Sequence, residues 1–413
     1  MEAEGVQYPY TDPSGASEMK KRGQILSWVT LACFIAGAAA GLVWPEVALS
    51  LGQVGSLYVS LLKYLALPVV ILSVFNAVQN GGKSATGVLV RALLLFIGLF
   101  AVSFLICAVP YTVFAPGKGF SALGGASWTG EQAAISLKGI LRNLVSFGGG
   151  GNVNNYYLPS LGLALVLGFI ASLIKSERLK RGAASLEKAL LTLLSWVMYL
   201  TPLGVFALMA KCTASFGLTA LRSSGAYIAW AYGGCLLVLG AVMILPLWVL
   251  CQVTPGQYFA RMGRLFMTSL ATCSSAATLP ETMRTCREEF HVSERVTAMV
   301  VPLGSTVHMC GGAVSFCLLG TFALQMTGRP ITGGTLLLML LLAEMLNMAA
   351  PGIPGGGIVL GATFLGMMGL EDMELFLGMY AGIYRLLDMA YTSLNVAGDV
   401  TANLLVERWE KEK

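Results

Sequence analysis

Residues 385–399 read RLLDMAYTSLNVAGD, and they place ionisable and amide side chains inside the last long apolar segment of the chain, 376–406. Five polar residues recur there at intervals of three and four: Arg385, Asp388, Thr392, Asn395 and Asp399. This spacing puts all five on one face of an α-helix. Carboxylates inside a membrane are costly and usually line a polar pathway, so the pattern predicts a helix that faces a functional cavity. A self-contained Arg385–Asp388 pair is the alternative, but it leaves Asn395 and Asp399 unexplained.

The composition around this helix is typical of a protein that spans a membrane. Hydrophobic residues make up 56% of the 413 residues and charged residues 11%, against roughly 25% charged residues in soluble domains. A spanning helix needs about 20 apolar residues, and charge-free runs of that order recur at 23–45, 64–82, 92–117, 143–174, 189–210, 223–260, 296–328 and 345–370. These runs lack the short alternating pattern of a membrane barrel. We therefore predict an all-α polytopic membrane protein.

The distribution of basic residues predicts the topology. If the N-terminus is cytoplasmic, most of them fall inside, in the clusters 20–22, 83–91, 175–188, 261–295 and 408–413. Fewer fall outside, among them Lys118, Lys211, Arg222 and Arg329. This asymmetry follows the positive-inside rule and explains the net charge of +5 without a nucleic-acid partner. We expect a multi-pass protein of the cell membrane with both termini in the cytoplasm.

Three segments of the second half interrupt the apolar pattern. Residues 265–280 end at TCSSAATLP, and 345–370 is cut by AAPGIPGGG. Short or interrupted apolar segments in corresponding places predict re-entrant hairpins at the binding site of a transporter. Two kinked spanning helices are the alternative. The third segment, STVHMCGGAV at 305–314, predicts an unwound stretch in the middle of a spanning helix.

Four motifs resemble the signature regions of the dicarboxylate/amino acid:cation symporter family: TCSSAATLPETMR, VPLGSTVHMCGGA, PGIPGGG and LDMAYTSLNVAGD. The similarity extends over about residues 24–408 and is weak in the first half. It implies eight transmembrane helices plus two re-entrant helical hairpins, with inverted repeats. It also implies a homotrimer in membrane lipid, in which a transport domain moves like an elevator against a fixed scaffold.

The resemblance divides the chain into a scaffold and a transport domain. Spans one to six fall in 23–255, where spans one, two, four and five form the scaffold and spans three and six move with the transport domain. The transport domain, 256–407, comprises a hairpin at 256–290, span seven at 295–327, a hairpin at 331–370 and span eight at 372–407. Cytoplasmic tails cover 1–22 and 408–413.

The resemblance also implies a site for a small amino acid. The matching residues are Ser274, Ser275, Met309, Gly312, Ile353, Pro354, Gly355, Gly357, Asp388, Tyr391, Thr392 and Asn395. The carboxylate of Asp388 is a suitable acceptor for the ammonium group of a substrate. Helix N-termini at the hairpin tips, together with the amide of Asn395, are suitable donors to its α-carboxylate.

Departures from the family pattern favour a neutral or otherwise non-acidic substrate. The family arginine that binds an acidic side chain corresponds to Tyr391 here. The family threonine that faces the same carboxylate from span seven corresponds to Gly312. A further family arginine corresponds to Cys273 or Met389. A phenol cannot replace a bidentate guanidinium. Arg385 lies one turn away and could partly compensate, so a symporter of acidic amino acids or dicarboxylates remains an alternative.

Sodium, protons or both are the implied coupling ions, and no other cofactor is expected. The residues that match family sodium sites are Gly304, Thr306, Asn347, Met348, Ala350, Asn395 and Asp399. A third site should be lost, because Cys310, Phe96, Leu99 and Phe100 replace its carboxylate and hydroxyl ligands. His308 replaces a sodium-binding asparagine and is a candidate for proton coupling, since imidazole titrates near neutral pH. A neutral, hydrogen-bonded histidine is the alternative.

Two further classes of function compete with coupled transport. An enzyme or a soft-metal site could use Cys273, Cys310 and His308, but residues two apart on one helix do not face each other, and no C-x-x-C motif is present. We therefore expect a protein that is not an enzyme. An uncoupled facilitator or exchanger of the same fold is the stronger competitor. Glu344, in the first arm of the second hairpin, is a further candidate proton carrier.

Overall fold

The computed structural model describes residues 13–81, 87–123, 163–348 without 165, 169, 172 and 175, 355–370 and 373–411. Within these ranges the regular elements are helical. The α-helices are α1 Pro13–Val43, α2 Pro45–Gly81, α3 Gly87–Val113, α4 Glu177–Met198, α5 Thr201–Phe216, α6 Leu218–Val238, α7 Leu245–Cys251, α8 Pro255–Thr272, α9 Ser275–Arg284, α10 Glu294–Val307, α11 Cys310–Met326, α12 Gly333–Met348, α13 Gly356–Met367 and α14 Glu374–Lys411. A 3-10 turn covers Lys118–Leu123, and π-helical turns cover Leu239–Ile244 and Thr285–Glu289.

Several of these helices have the length and composition of membrane spans. Val90–Val113, Leu218–Cys251 and Glu294–Met326 are each long and apolar enough to cross a bilayer. Shorter apolar helices cover Trp28–Val43, Gly333–Met348 and Gly356–Met367. The helical structure and these apolar segments agree with the prediction of a polytopic membrane protein.

Two of the apolar runs before residue 265 are divided between successive helices. The run 189–210 is divided between α4 and α5, because the chain turns at Tyr199 and Leu200 and Pro202 occupies the first turn of α5. The run 223–260 is also divided, because Gln252 adopts a left-handed conformation (φ 58°) and ends α7. Thr254 then caps α8 by accepting a hydrogen bond from the backbone of Gln257. Most of the predicted span at 143–174 lies outside the described residues.

Helix α14 lies at the centre of the structure. It packs against α5, α6, α8, α10 and α11, and it is buried along most of its length from Phe376 to Glu407. Its polar residues therefore face other helices of the protein. The face that the spacing predicts to line a cavity does so at Asp388, Thr392 and Asn395.

Helices are interrupted at three places that pack around α14. Helix α8 gives way to α9 at Cys273 and Ser274, and α10 gives way to α11 at His308 and Met309. The third interruption separates α12 from α13, and residues 349–354 within it lie outside the described residues. The unwound part of 305–314 is thus narrower than the motif, because Ser305–Val307 and Cys310–Val314 are helical.

Glycines let α1 and α2 approach α5 closely. A Cβ atom added to Gly37 would lie 2.5 Å from the carbonyl oxygen of Phe206, and one added to Gly204 would lie 2.3 Å from the Tyr58 ring. Small residues are the usual means by which membrane helices reach such short separations. By contrast, nothing lies within 4 Å of a Cβ atom added to Gly98.

This packing predicts that Gly37→Ala destabilises the protein while Gly98→Ala does not. Forcing a methyl group against the α5 backbone should cost about 1–3 kcal/mol, which lowers the melting temperature of the detergent-solubilised protein. Gly98→Ala should melt at or slightly above the wild-type temperature, because alanine favours helix over glycine. Equal melting temperatures for the two variants would contradict the close approach of α1 to α5.

Candidate functional site

A cavity of about 70 Å³ lies where the three helix interruptions meet α14. Nine of the twelve predicted substrate residues line it: Ser274, Ser275, Met309, Gly312, Gly357, Asp388, Tyr391, Thr392 and Asn395. Gly355 is hydrogen-bonded to the lining residue Asp388. Ile353 and Pro354 lie outside the described residues. The structure therefore brings together most of the residues that the motifs single out.

The N-termini of three helices converge on this cavity. Its lining includes Ser275 of α9, Gly312 of α11 and Gly357 of α13, each in the first turn of its helix. The first N–H groups of a helix have no partner within that helix, and together with the helix dipole they favour an anion. The convergence makes this side of the cavity suitable for a carboxylate.

Asp388 supplies the negative charge of the cavity. Its Oδ2 accepts a hydrogen bond from the backbone N–H of Gly355 (3.2 Å), and its Oδ1 accepts one from the hydroxyl of Thr392 (3.4 Å). A carboxylate has about four acceptor positions, and these two bonds are long. Asp388 therefore keeps the capacity to bind an ammonium group from the cavity.

Arg385 is bound at the end of α8 and does not line the cavity. Its Nη2 donates to the carbonyl oxygen of Ala271 at 3.1 Å, near the C-terminus of α8, where carbonyl groups lack helical partners. The alternative of a self-contained Arg385–Asp388 ion pair is thus not what the structure contains. Among the described residues, no arginine or lysine lines the cavity.

Some residues that line the cavity are not among the substrate residues predicted from the sequence. The additional lining residues are Cys273, Ser315, Phe316, Asn347, Leu360 and Tyr384. Gly356 also lines the cavity and lies within the matched stretch 353–357. Phe316 and Leu360 belong to uniformly apolar helices, whose pattern does not separate cavity residues from core residues. Tyr384 lies four residues before Asp388 and therefore on the same helix face, so the same spacing could have predicted that Tyr384 lines the cavity.

His308 lies between a carboxylate and a thiol. Its Nδ1 is 3.1 Å from Asp399 Oδ1 and its Nε2 is 2.9 Å from Cys310 Sγ. The ring stacks on Phe96 with a centroid separation of 4.6 Å, and His308, Cys310 and Asp399 are all buried. The expectation that His308 and Cys310 do not face each other is wrong, because the helix is broken between them.

The residues predicted for the sodium sites have different environments. Asp399 is bound to His308, and a Cβ atom at Gly304 would lie 2.4 Å from Asp399 Oδ1, so a side chain at position 304 would displace the carboxylate. Thr306 is exposed, and its hydroxyl donates to the carbonyl oxygen of Leu303. Asn395 accepts from the backbone N–H of Gly311.

The remaining predicted ligands do not complete a side-chain metal site. Asn347 is buried and Met348 is half-buried at the end of α12, whereas Ala350 lies outside the described residues. Within the described ranges, no group of three or more histidine, cysteine or acidic side chains is arranged to hold a metal. Phe96, Leu99 and Phe100 are buried apolar side chains of α3.

Glu344 lies in α12. Its Oε2 is buried and has no hydrogen-bond partner among the described residues, and the carboxylate is near enough to interact electrostatically with His308. The polar groups around His308 therefore come from α11, α12 and α14.

Comparison with known proteins agrees with this architecture. A model of the sodium:dicarboxylate symporter family matches residues 26–409. The chain belongs to this family. Its members are transporters and not enzymes, so the family sets aside the enzyme interpretation of Cys310 and His308.

Two mammalian relatives match nearly all of the chain. Human neutral amino acid transporter A is 27% identical over 430 residues, which cover 92% of this chain and 80% of the relative. The bovine protein of the same name is 26% identical over 436 residues, which cover 93% and 82%. A putative sodium-dependent excitatory amino acid transporter of Caenorhabditis elegans, glt-4, is 31% identical over 264 residues, 63% of this chain and 52% of the relative.

The buried contact between His308 and Asp399 predicts non-additive mutational effects. His308→Leu should lower the melting temperature strongly, because it leaves Asp399 buried without this partner. Replacing both residues by leucine should cost less than the sum of the two single changes, since breaking a buried polar pair is worse than removing it. The melting temperatures of wild type, both single variants and the double variant provide the test. Additive losses would contradict the contact.

Proposed function

We propose that this protein is a secondary transporter that moves a neutral amino acid across the cell membrane, with sodium coupling reduced or partly replaced by protons. The observation that carries the proposal is the cavity itself. It combines a buried carboxylate, Asp388, and three helix N-termini with a lining in which the described residues include no arginine or lysine. Such a cavity matches a zwitterion whose side chain has no charge.

The two ends of an amino-acid backbone fit opposite features of the cavity. The ammonium group binds Asp388, where charge-assisted hydrogen bonds are strong. The α-carboxylate binds the N–H groups at the starts of α9 and α13, with the amide of Asn395 nearby. The side chain then faces Tyr391 and Gly312, where a phenol and a bare backbone take the places of groups that bind a second carboxylate.

The names of the relatives support a neutral substrate. The two mammalian relatives, which match more than nine-tenths of this chain, are neutral amino acid transporters. The C. elegans relative, which is named for excitatory amino acids, matches 63%. Arg385 would have to leave the end of α8 to bind an acidic side chain, which makes an acidic substrate the less suitable choice.

The environment of His308 supports altered ion coupling. Asp399, which the family resemblance makes a sodium ligand, is bound to the imidazole. The titratable groups that face His308 are Asp399 of α14, Cys310 of α11 and Glu344 of α12. Imidazole exchanges a proton near neutral pH, so His308 can carry a proton in place of an ion. We assign one sodium ion to main-chain carbonyls at Thr306 and Asn347, as the family resemblance implies.

We also propose an elevator mechanism, which the family resemblance implies. The segment from α8 to α14 forms the moving domain, which carries the cavity across the membrane as an elevator. The scaffold spans hold a homotrimer in lipid, with both termini in the cytoplasm. An uncoupled facilitator of the same fold is a second candidate, because the engagement of Asp399 by His308 removes a carboxylate from the coupling machinery.

Uptake into proteoliposomes tests the proposed function. Labelled serine, alanine and glutamate are supplied under a sodium gradient, a proton gradient, both or neither. We expect serine and alanine to accumulate above the external concentration and glutamate to enter at most about one tenth as fast, because an unpaired second carboxylate is costly to bury. Equilibration without accumulation under every gradient would establish the facilitator, and uptake of glutamate alone would overturn the neutral substrate.

The role of His308 has its own arm in this experiment. His308→Gln keeps a hydrogen-bonding side chain but cannot titrate, so it should abolish uptake driven by the proton gradient and retain uptake driven by sodium. Glu344→Gln is the control, because it removes the neighbouring titratable group. It should retain uptake driven by the proton gradient and uptake driven by the sodium gradient. Proton-driven uptake that survives His308→Gln would contradict the role of the imidazole.

A further inference from the structure

Asn347 is a buried polar residue whose side chain the proposed transport cycle does not use. It is the second-to-last residue of α12, its exposed fraction is 1%, and it lines the cavity. The family resemblance makes Asn347 a sodium ligand mainly through its main-chain carbonyl. Its amide side chain is a separate group, and its placement has a separate consequence.

A hydrogen bond fixes the orientation of this amide. Nδ2 donates to the carbonyl oxygen of Val307 at 3.3 Å. Val307 is the last residue of α10, where carbonyl groups lack helical partners. A carbonyl oxygen only accepts, so the nitrogen side of the amide must face α10. The oxygen, Oδ1, therefore faces the other way.

The amide oxygen lies directly over Gly312, at the side-chain end of the cavity. A Cβ atom added to Gly312 would lie 2.4 Å from Oδ1 and 3.4 Å from Cγ of Asn347. The amide thus occupies the space that a side chain at 312 would fill. Among the residues that the structure describes, no donor is hydrogen-bonded to Oδ1.

We infer that Asn347 is a specificity-determining residue whose amide oxygen accepts a hydrogen bond from the substrate side chain. The inference rests on the proposed function. The favoured substrates are neutral amino acids whose side chains carry an O–H or N–H donor, such as a hydroxyl or a carboxamide. An apolar side chain of the same shape leaves the buried acceptor without a partner, which is the costly case. The carboxylate of an acidic side chain has no hydrogen to donate, so it cannot form a hydrogen bond with the amide oxygen of Asn347.

Threonine and valine provide the sharpest comparison, because they have nearly the same shape and differ in one hydroxyl. Each unlabelled amino acid competes with labelled serine for uptake into proteoliposomes. We expect threonine to compete about tenfold better than valine in the wild type. Asn347→Leu has a similar volume and cannot accept a hydrogen bond, so the ratio should fall to about one in this variant.

Thr363→Val is the control variant. Thr363 is buried in α13, where its hydroxyl donates to the carbonyl of Val359 in the same helix, and it does not line the cavity. Removal of this hydroxyl should leave the ratio of threonine to valine unchanged. The control shows whether the loss of any buried polar group in this region alters selectivity.

Three results would overturn the role of Asn347. These are a wild-type protein that does not distinguish threonine from valine, an active Asn347→Leu variant that keeps the wild-type ratio, and an equal fall of the ratio in Thr363→Val. If Asn347→Leu does not fold, the wild-type protein still tests the role of a side-chain donor, through the comparison of threonine with valine and of glutamine with methionine. Absence of all amino-acid uptake by the wild type would instead refute the proposed function.

Discussion

Unpaired backbone groups at broken helices are the constraint on which this structure depends. A helix that stops inside an apolar protein leaves N–H and C=O groups without partners, and water is not available to replace them. Helix α14 supplies a partner at each interruption. Arg385 donates to Ala271 at the end of α8, Asn395 accepts from Gly311 at the start of α11, and Asp388 accepts from Gly355 before α13.

The same face of α14 therefore stabilises the broken helices and forms the cavity. Its polar residues are buried and nearly satisfied by the protein, yet Asp388, Thr392 and Asn395 also line the space between the helix ends. Three helix N-termini and a carboxylate give this small volume both positive and negative electrostatic features. A zwitterion matches such a distribution, and a second negative charge on the substrate has no cation to meet it among the described lining residues.

Periodicity and resemblance predicted the centre of the site because the signal was local. Spacing alone placed Arg385, Asp388 and Asn395 on one helix face, and that face contacts the interruptions. The contact between His308 and Cys310 could not be predicted in this way, because it depends on the two residues at which the helix is broken. Phe316 and Leu360 were missed because apolar helices give the same pattern in a core and in a cavity wall. The position of the Asn347 amide depends on α10 and α11, which are distant in sequence.

The most direct test of the account is a structure of the protein determined with bound serine. The account predicts the ammonium group within hydrogen-bonding distance of Asp388, the α-carboxylate at the starts of α9 and α13, and the side chain near Tyr391 and Gly312. It also predicts that Arg385 stays at the end of α8. Serine bound elsewhere, or bound with its carboxylate on a displaced Arg385, would contradict it.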